Sequence, residues 1–449
     1  MNTSPMTSSN AANGAVRWVV VIAAIALIFD GYDLVVFGTI VSTLLADPSQ
    51  LGQLDEAAAG LLGSYALLGV MVGALSTGAI GDYIGRRKAM ITGIIWFSVG
   101  MGLTALASET LWFGILRFLT GMGVGAIVAT AGAVVAEFAP KNSRNYYNAI
   151  VYSGVPAGGV LASLLAMVLS DVIGWRGLFL IGALPLLFLL PMAWFKLPES
   201  PQWLLSRGRV AEAREVAART GMLLELPSDA DAGQLKAERV GFAALATRRY
   251  ALPTALLGMM SFAGLLLTYG LNTWMPEIMQ QAGYGKSHSL LFLLVLNLAA
   301  VFGGLLASVA ADRVGPKQVV ALTFFLAALA MVLLTLKLPL GLLLSLVAVA
   351  GVGTIGTQVL IYGFVSNYYH SAARGAGVAW CAGFGRLGGI FGPLLGGVLL
   401  SAGVSPGTAF YVFAAVAIVG TLVTTCVPMT RSAAQRSAQE ELAAAGAGK

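Results

Sequence analysis

Asp30 and Asp33 stand in the stretch IALIFDGYDLVVFG, Ile25 to Gly38, near the middle of an apolar run from Trp18 to Ala46. A charge at the centre of a bilayer-spanning helix costs ~2.5–3.5 kcal/mol, so two carboxylates there require a reason. Their i,i+3 spacing sets them about 300° apart around a helix, on a shared face. Two carboxylates on one face in a low-dielectric setting resist simultaneous ionisation, so one of them takes up a proton near neutral pH. Such a group can load a proton from one side and release it to the other. Gly31 and Gly38 leave room for close packing or local unwinding beside the pair.

Two intramembrane cations answer the carboxylates. Arg117 lies several residues inside the fourth apolar run, which Glu137 closes, and Arg386 lies in the middle of the eleventh, within GFGRLGGIFGPLLGG. An arginine at that depth must face a partner or a cavity, and its planar fork suits bidentate binding of a carboxylate. The second half of the chain offers carboxylates only at the ends of its apolar runs, Glu277 and Asp312. Arg386 is therefore a candidate for binding a substrate carboxylate. Tyr269, Asn272 and Trp274 in the seventh run can supply a hydrogen-bonding amide and a stacking ring. Tyr65, Tyr152, Gln358, Tyr362 and Trp380 are further cavity candidates.

These residues need helices to carry them across a bilayer. The chain has 449 residues, 58% hydrophobic and only 10% charged, with 56 glycines, a composition far from the ~25% charged of soluble proteins. Twelve apolar runs are each long enough to span the bilayer: 17–46, 57–80, 89–108, 110–136, 146–170, 177–195, 252–277, 288–310, 318–336, 340–365, 375–402 and 405–428. The expected fold is an all-α polytopic membrane protein with two pseudo-symmetric six-helix bundles. Its divisions are a first bundle over 1–195, a linker over 196–250, a second bundle over 251–430 and a tail over 431–449. Within the linker, Val210 to Thr220 has helical spacing and is expected to lie along the membrane surface.

With the N-terminus inside, 21 of the 26 Lys and Arg fall on the cytoplasmic side, three fall outside and two lie within the membrane. This positive-inside bias places both termini in the cytoplasm of a multi-pass inner-membrane protein. It also explains the net charge of +6 without nucleic-acid binding. The polar first 14 residues lack a cleavable signal pattern. Cys381 and Cys426 support no disulfide framework, and His288 and His370 form no metal-ligand cluster, so no cofactor or metal is expected.

The two halves repeat. The loop GDYIGRRK, with Gly81, Asp82, Gly85, Arg86, Arg87 and Lys88, recurs six runs later as ADRVGPK, with Asp312, Arg313, Gly315 and Lys317. Each joins two helices by a tight glycine turn flanked by an acid and basic residues, a combination that can latch one conformation and release another. Pro316 replaces a basic residue in the second loop, which predicts a weaker latch there.

GDYIGRRK resembles the signature loop of the major facilitator superfamily, and RFLTGMGVG, Arg117 to Gly125, resembles its fourth-helix pattern. LPESPQWLL, Leu197 to Leu205, resembles the segment after its sixth helix. DGYDLVVFG resembles the first-helix signature of the aromatic acid:proton symporters, and YGLNTWMPEIM, Tyr269 to Met279, is similar to helix 7 of benzoate-type members. The resemblance spans essentially the whole chain. It implies a secondary carrier of benzoate or hydroxybenzoate type that works by alternating access and functions as a monomer. Its partners are a small aromatic carboxylate, protons and the lipid bilayer. It further implies that Arg117 and Glu137 belong to proton coupling with Asp30 and Asp33.

Other readings stay open. No nucleophile–base constellation or phosphate-cradling loop is present, which argues against an enzyme. A transporter-like receptor usually carries a long output domain, whereas the tail after Pro428 is short. GGIFGPLLGG resembles an antiporter motif but lies in the eleventh run, not the fifth where that motif belongs. Within transport the main alternative is a proton-driven exporter or antiporter, and a carrier of sugars, short aliphatic acids or another small metabolite is the other option.

Overall fold

The computed structural model describes residues 6–138, 144–220, 245–247, 250–369 and 371–428, with side chains for all of these except 6–15, 79, 82, 144–146, 371 and 372. The tail expected over 431–449, most of the later linker, His370 and the Asp82 side chain lie outside the described residues.

Within these limits the regular structure is helical. In lipid every backbone N–H and C=O must be satisfied internally, and apolar runs of this length meet that demand as helices. The first half contains α1 (Met6–Ala46), α2 (Glu56–Ile84), α3 (Arg86–Ala105), α4 (Thr110–Phe138), α5 (Arg144–Tyr152), α6 (Gly154–Gly182) and α7 (Leu189–Lys196). Two linker helices follow, α8 (Pro201–Ser206) and α9 (Val210–Thr220), the second over the residues whose spacing predicted it. The second half contains α10 (Ala251–Gln281), α11 (Lys286–Val314), α12 (Pro316–Leu333), α13 (Leu340–Gly351), α14 (Thr357–Tyr368), α15 (Ser371–Ser401) and α16 (Pro406–Cys426).

Among the described residues eleven helical segments are long and apolar enough to cross a membrane, and a shorter apolar one runs from Leu184 to Lys196. The difference from twelve uniform spans has a local cause. The loop expected between the fifth and sixth spans is a kink at Gly174, where φ is 64°, a value that a residue with a Cβ adopts only with strain. The sixth crossing continues from Trp175, is interrupted by a 3-10 turn around Pro185, and resumes as α7. Proline removes the N–H that a continuous helix would need there. The tenth crossing is likewise divided, with a π-helical turn, Val352–Gly356, between α13 and α14.

The repeat seen in the sequence returns as backbone geometry. Gly85 between α2 and α3 has φ 93°, Gly315 between α11 and α12 has φ 105°, and each donates its N–H to the carbonyl four residues earlier, Gly81 or Ala311. Pro316 costs nothing at the first position of α12, where its missing N–H would have no helical partner.

In the first bundle α1 packs on α6 and α2 on α4; in the second α10 packs on α15 and α12 on α16. The bundles meet through α1 with α10, α2 with α15, and α6 with α11. Glycines carry much of this seam. A Cβ on Gly38 would stand 2.1 Å from the Asn272 carbonyl oxygen, and one on Gly159 would stand 2.3 Å from the Asn297 side-chain oxygen. Hydrogen bonds reinforce it, from Ser64 Oγ to the Ile390 carbonyl at 2.7 Å and from Gln280 Nε2 to Ser42 Oγ at 2.8 Å. An ion pair between Lys286 and Asp171 at 2.6 Å joins the rims. These contacts gather in the half of the molecule away from the α2–α3 turn.

Candidate functional site

α1 brings its two aspartates to different arginines. Asp33, fully buried, accepts from the guanidinium of Arg117 on α4, itself 1% exposed. Rings flank that guanidinium, with the centroids of Phe37 and Phe179 at 5.4 and 5.6 Å. Asp33 Oδ2 and Arg117 Nε are buried without a hydrogen-bond partner.

Asp30, about 60° further round α1, is turned toward the second bundle, where Arg386 exerts the largest charge effect on it. Arg386 Nη1 donates a long hydrogen bond, 3.4 Å, to the Tyr269 hydroxyl on α10. Among the described residues no carboxylate lies within 4 Å of Arg386. Tyr152 on α5 and Tyr362 on α14 belong to the same electrostatic cluster. A cation, a carboxylate and three phenols from both bundles therefore influence one another, and Arg386 is left without a contact carboxylate.

Other predicted residues are placed elsewhere. Asn272 Nδ2 donates to the Thr268 carbonyl and its Oδ1 accepts from Asn297 Nδ2, both at 2.8 Å, so the amide is engaged inside the second bundle. Trp274 is fully buried and its indole N–H donates to the Pro393 carbonyl at 2.7 Å. Pro393 lies seven residues along α15 from Arg386, about 10 Å. Gln358 Nε2 donates to Ser261 Oγ at 3.3 Å, and its Oε1 is buried and unpartnered. Trp380 stacks on Phe384 at 5.4 Å and donates to the Thr254 carbonyl. Its position six residues before Arg386 sets it about 120° away around α15. Tyr65 is 40% exposed and packs beside Gly114.

Glu137 stands at the other end of α4, twenty residues and about 30 Å from Arg117. It pairs with Arg86 at 3.5 Å and so joins the α2–α3 turn. In that turn the Arg87 N–H donates to Glu199 Oε1 at 3.0 Å, and its side chain donates to the Trp194 carbonyl at 2.5 Å. Lys88 is exposed, as are Asp312 and Arg313 in the second turn, where Lys317 donates to the Val427 carbonyl at 2.7 Å.

Asn297 and Glu199 are additions to the residues singled out by sequence. Asn297 is an isolated amide in the apolar run LLVLNLAAV, the same signal that drew attention to Asn272. Glu199 lies inside LPESPQWLL, quoted above for its resemblance alone. Among the described residues no three His, Cys, Asp or Glu side chains converge as a metal would require.

Residues 19–439 match the family model described as "Sugar (and other) transporter". The chain belongs to that family. This transporter is 34% identical over 399 residues to a "Gentisate transporter" of Corynebacterium glutamicum, covering 88% of this chain and 84% of the relative. It is 32% identical to a "Benzoate transport protein" of Acinetobacter baylyi, with 85% and 83% covered. A "4-hydroxybenzoate transporter PcaK" of Pseudomonas aeruginosa is 30% identical, with 86% and 87% covered. Among solved structures, the inward open conformation of the xylose transporter XylE from E. coli aligns with a TM-score of 0.72 over 92% of this chain and 97% of that one. At 18% identity that likeness concerns the fold, which is the major facilitator fold. The transporter is thus a multi-pass membrane carrier and not an enzyme.

Proposed function

We propose that this transporter imports an aromatic carboxylate of the benzoate or hydroxybenzoate class together with at least one proton, by alternating access. The observation that carries the reading is Arg386, a cation between the bundles whose nearest carboxylate charge, Asp30, belongs to the opposite bundle. A substrate carboxylate takes the place of Asp30 on the guanidinium, and Asp30, relieved of its counter-charge, takes a proton. Co-transport of that proton neutralises a monovalent anion, so the proton gradient drives accumulation. Tyr152, Tyr269 and Tyr362 belong to the electrostatic cluster around Arg386 and suit an aromatic ring bearing hydroxyls. The named relatives carry gentisate, benzoate and 4-hydroxybenzoate, all aromatic carboxylates.

In this reading the Asp33–Arg117 pair is a second proton-responsive element inside the first bundle, and the α2–α3 and α11–α12 turns govern the conformational cycle. The bundles comprise residues 1–195 and 251–430, joined by a cytoplasmic linker over 196–250. Both termini are cytoplasmic, on the strength of the basic-residue bias, and the carrier works as a monomer. The seam between the bundles then closes the outer end, and the Arg386 site is reached from the cytoplasm. The direct experiment is uptake of labelled benzoate and hydroxybenzoates into proteoliposomes under an inward proton gradient, with and without a protonophore. Gradient-dependent accumulation of an aromatic acid, abolished by the protonophore, is expected; accumulation that ignores the gradient would refute symport.

A further inference from the structure

Arg117 sits in an aromatic cage that its ion pair with Asp33 does not require. Besides Phe37 and Phe179 over the guanidinium, Phe113, one turn earlier on α4, packs against both rings with centroids at 6.1 and 5.7 Å. Trp175 closes the group edge-on, 5.8 Å from Phe113 and 6.0 Å from Phe179. Its indole N–H donates to Gln50 at 2.9 Å, which caps the cage from the α1–α2 loop. The three phenylalanines are at most 1% exposed, so the cation is held among rings and not in water.

A buried arginine that loses its only counter-ion is strongly destabilised. That loss is what protonation of Asp33 imposes, because among the described residues Asp33 is the only carboxylate on Arg117. Ring faces attract a cation through their quadrupole, and most strongly when it is desolvated. This attraction persists when Asp33 is neutral. We infer that Phe37 and Phe179 are positioning residues for proton coupling, which hold Arg117 in place while Asp33 is neutral and thereby set the pH at which Asp33 loads its proton. The inference rests on the proton-coupling role proposed for Asp33 and makes no use of the substrate's identity.

The charged and titratable groups around the pair are Asp30 and Tyr32 on α1 and Arg117 on α4. α6 presents Phe179 and, beyond Trp175, Arg176, whose guanidinium lies 4.4 Å from the Trp175 ring and donates to the Ala107 carbonyl. α10 directs Tyr269 toward Asp30. Phe37 also links the cage to the seam between bundles. A Cβ on Gly63 would touch both its ring, at 3.2 Å, and Pro393 of α15, at 3.0 Å. Arg117 held in place keeps Phe37 in place, and with it one contact across the bundles.

The sign follows directly. The rings attract Arg117 in both states, but more strongly when ionised Asp33 no longer offsets its charge, so weakening them penalises the neutral-Asp33 state more and proton loading requires a lower pH. The test replaces Phe179 by trifluorophenylalanine, whose fluorines remove the negative ring face while nearly keeping its shape, in purified protein without substrate. Infrared difference spectra recorded against pH follow the Asp33 carboxyl, identified by the band lost in Asp33→Asn. The midpoint is expected to fall by about one pH unit, a tenfold loss of proton affinity or ~1.4 kcal/mol. Phe179→Leu should move it in the same direction and Phe179→Trp should return it toward wild type. An unmoved or raised midpoint in the fluorinated protein makes the cage ordinary packing, and the absence of a titrating Asp33 band in wild type overturns the inference outright. Since no substrate is present, failure of aromatic-acid uptake cannot produce either result.

Discussion

The guanidinium of Arg386 on α15 and the carboxylate of Asp30 on α1 stand in opposite bundles, close enough for each to feel the other's charge, yet form no contact ion pair. A permanent salt bridge would have occupied the guanidinium. A pair held apart leaves the cation available to an anion that enters between the halves.

Arg386→Lys should therefore not rescue transport, because an ammonium cannot reproduce the bidentate fork. Losing hydrogen bonds to a charged group costs ~1.5–3 kcal/mol each, so benzoate affinity is expected to drop roughly tenfold to hundredfold. Equilibrium binding of benzoate and benzamide to wild type and mutant checks this. Benzamide competing as well as benzoate in wild type would make the arginine structural.

The two aspartates should separate in stability. Asp33→Asn leaves Arg117 as a buried unpaired cation and is expected to cost ~3–5 kcal/mol, visible as a lower unfolding temperature in detergent. Asp30→Asn touches no contact ion pair and should unfold within a few degrees of wild type while losing gradient-driven uptake. Equal melting of both mutants would contradict the division of partners between them.

At the seam, Gly38→Val should favour opening of the outer end, since its Cβ would meet the Asn272 carbonyl oxygen at 2.1 Å and that backbone cannot give way cheaply. A Ser42→Cys reporter, in a background with Cys381→Ser and Cys426→Ser, should react faster with an impermeant maleimide added from outside. A rate unchanged from the parent would show that the seam tolerates the side chain.

Gly85→Ala should slow turnover more than it weakens binding. Gly85 combines φ 93° with ψ 156°, a region open essentially to glycine alone, so the strain is about 1–3 kcal/mol, and a Cβ there would stand 2.4 Å from Glu199 Oε2. Pre-steady-state uptake and equilibrium binding separate the two effects. A tenfold weaker binding constant with a normal translocation rate would refute the role of the turn in the conformational cycle.

Much of this protein was determined by local sequence alone. Each crossing helix follows from an apolar run that must satisfy its own backbone in lipid, and α9 follows from the spacing of Val210 to Thr220. The glycine turns at Gly85 and Gly315 follow from a repeated motif, because a turn is decided by the few residues that form it. Asp30, Arg117 and Arg386 were legible as candidates because an intramembrane charge carries its cost wherever it lies in the chain.

Partnership was decided only by the tertiary structure. The i,i+3 spacing joins Asp30 and Asp33 on one face, yet the 60° that separates them suffices to pair Asp33 with Arg117 within the bundle and leave Asp30 unpaired, under the charge of Arg386 from the other bundle. Asn272 and Trp274 share a helix with Tyr269, yet Asn297 and Pro393 occupy their polar atoms. Glu137 shares α4 with Arg117, yet helix rise carries it about 30 Å away to Arg86. Helical periodicity states which way a side chain points; which neighbour waits there depends on how distant helices pack, and no local run of residues encodes that.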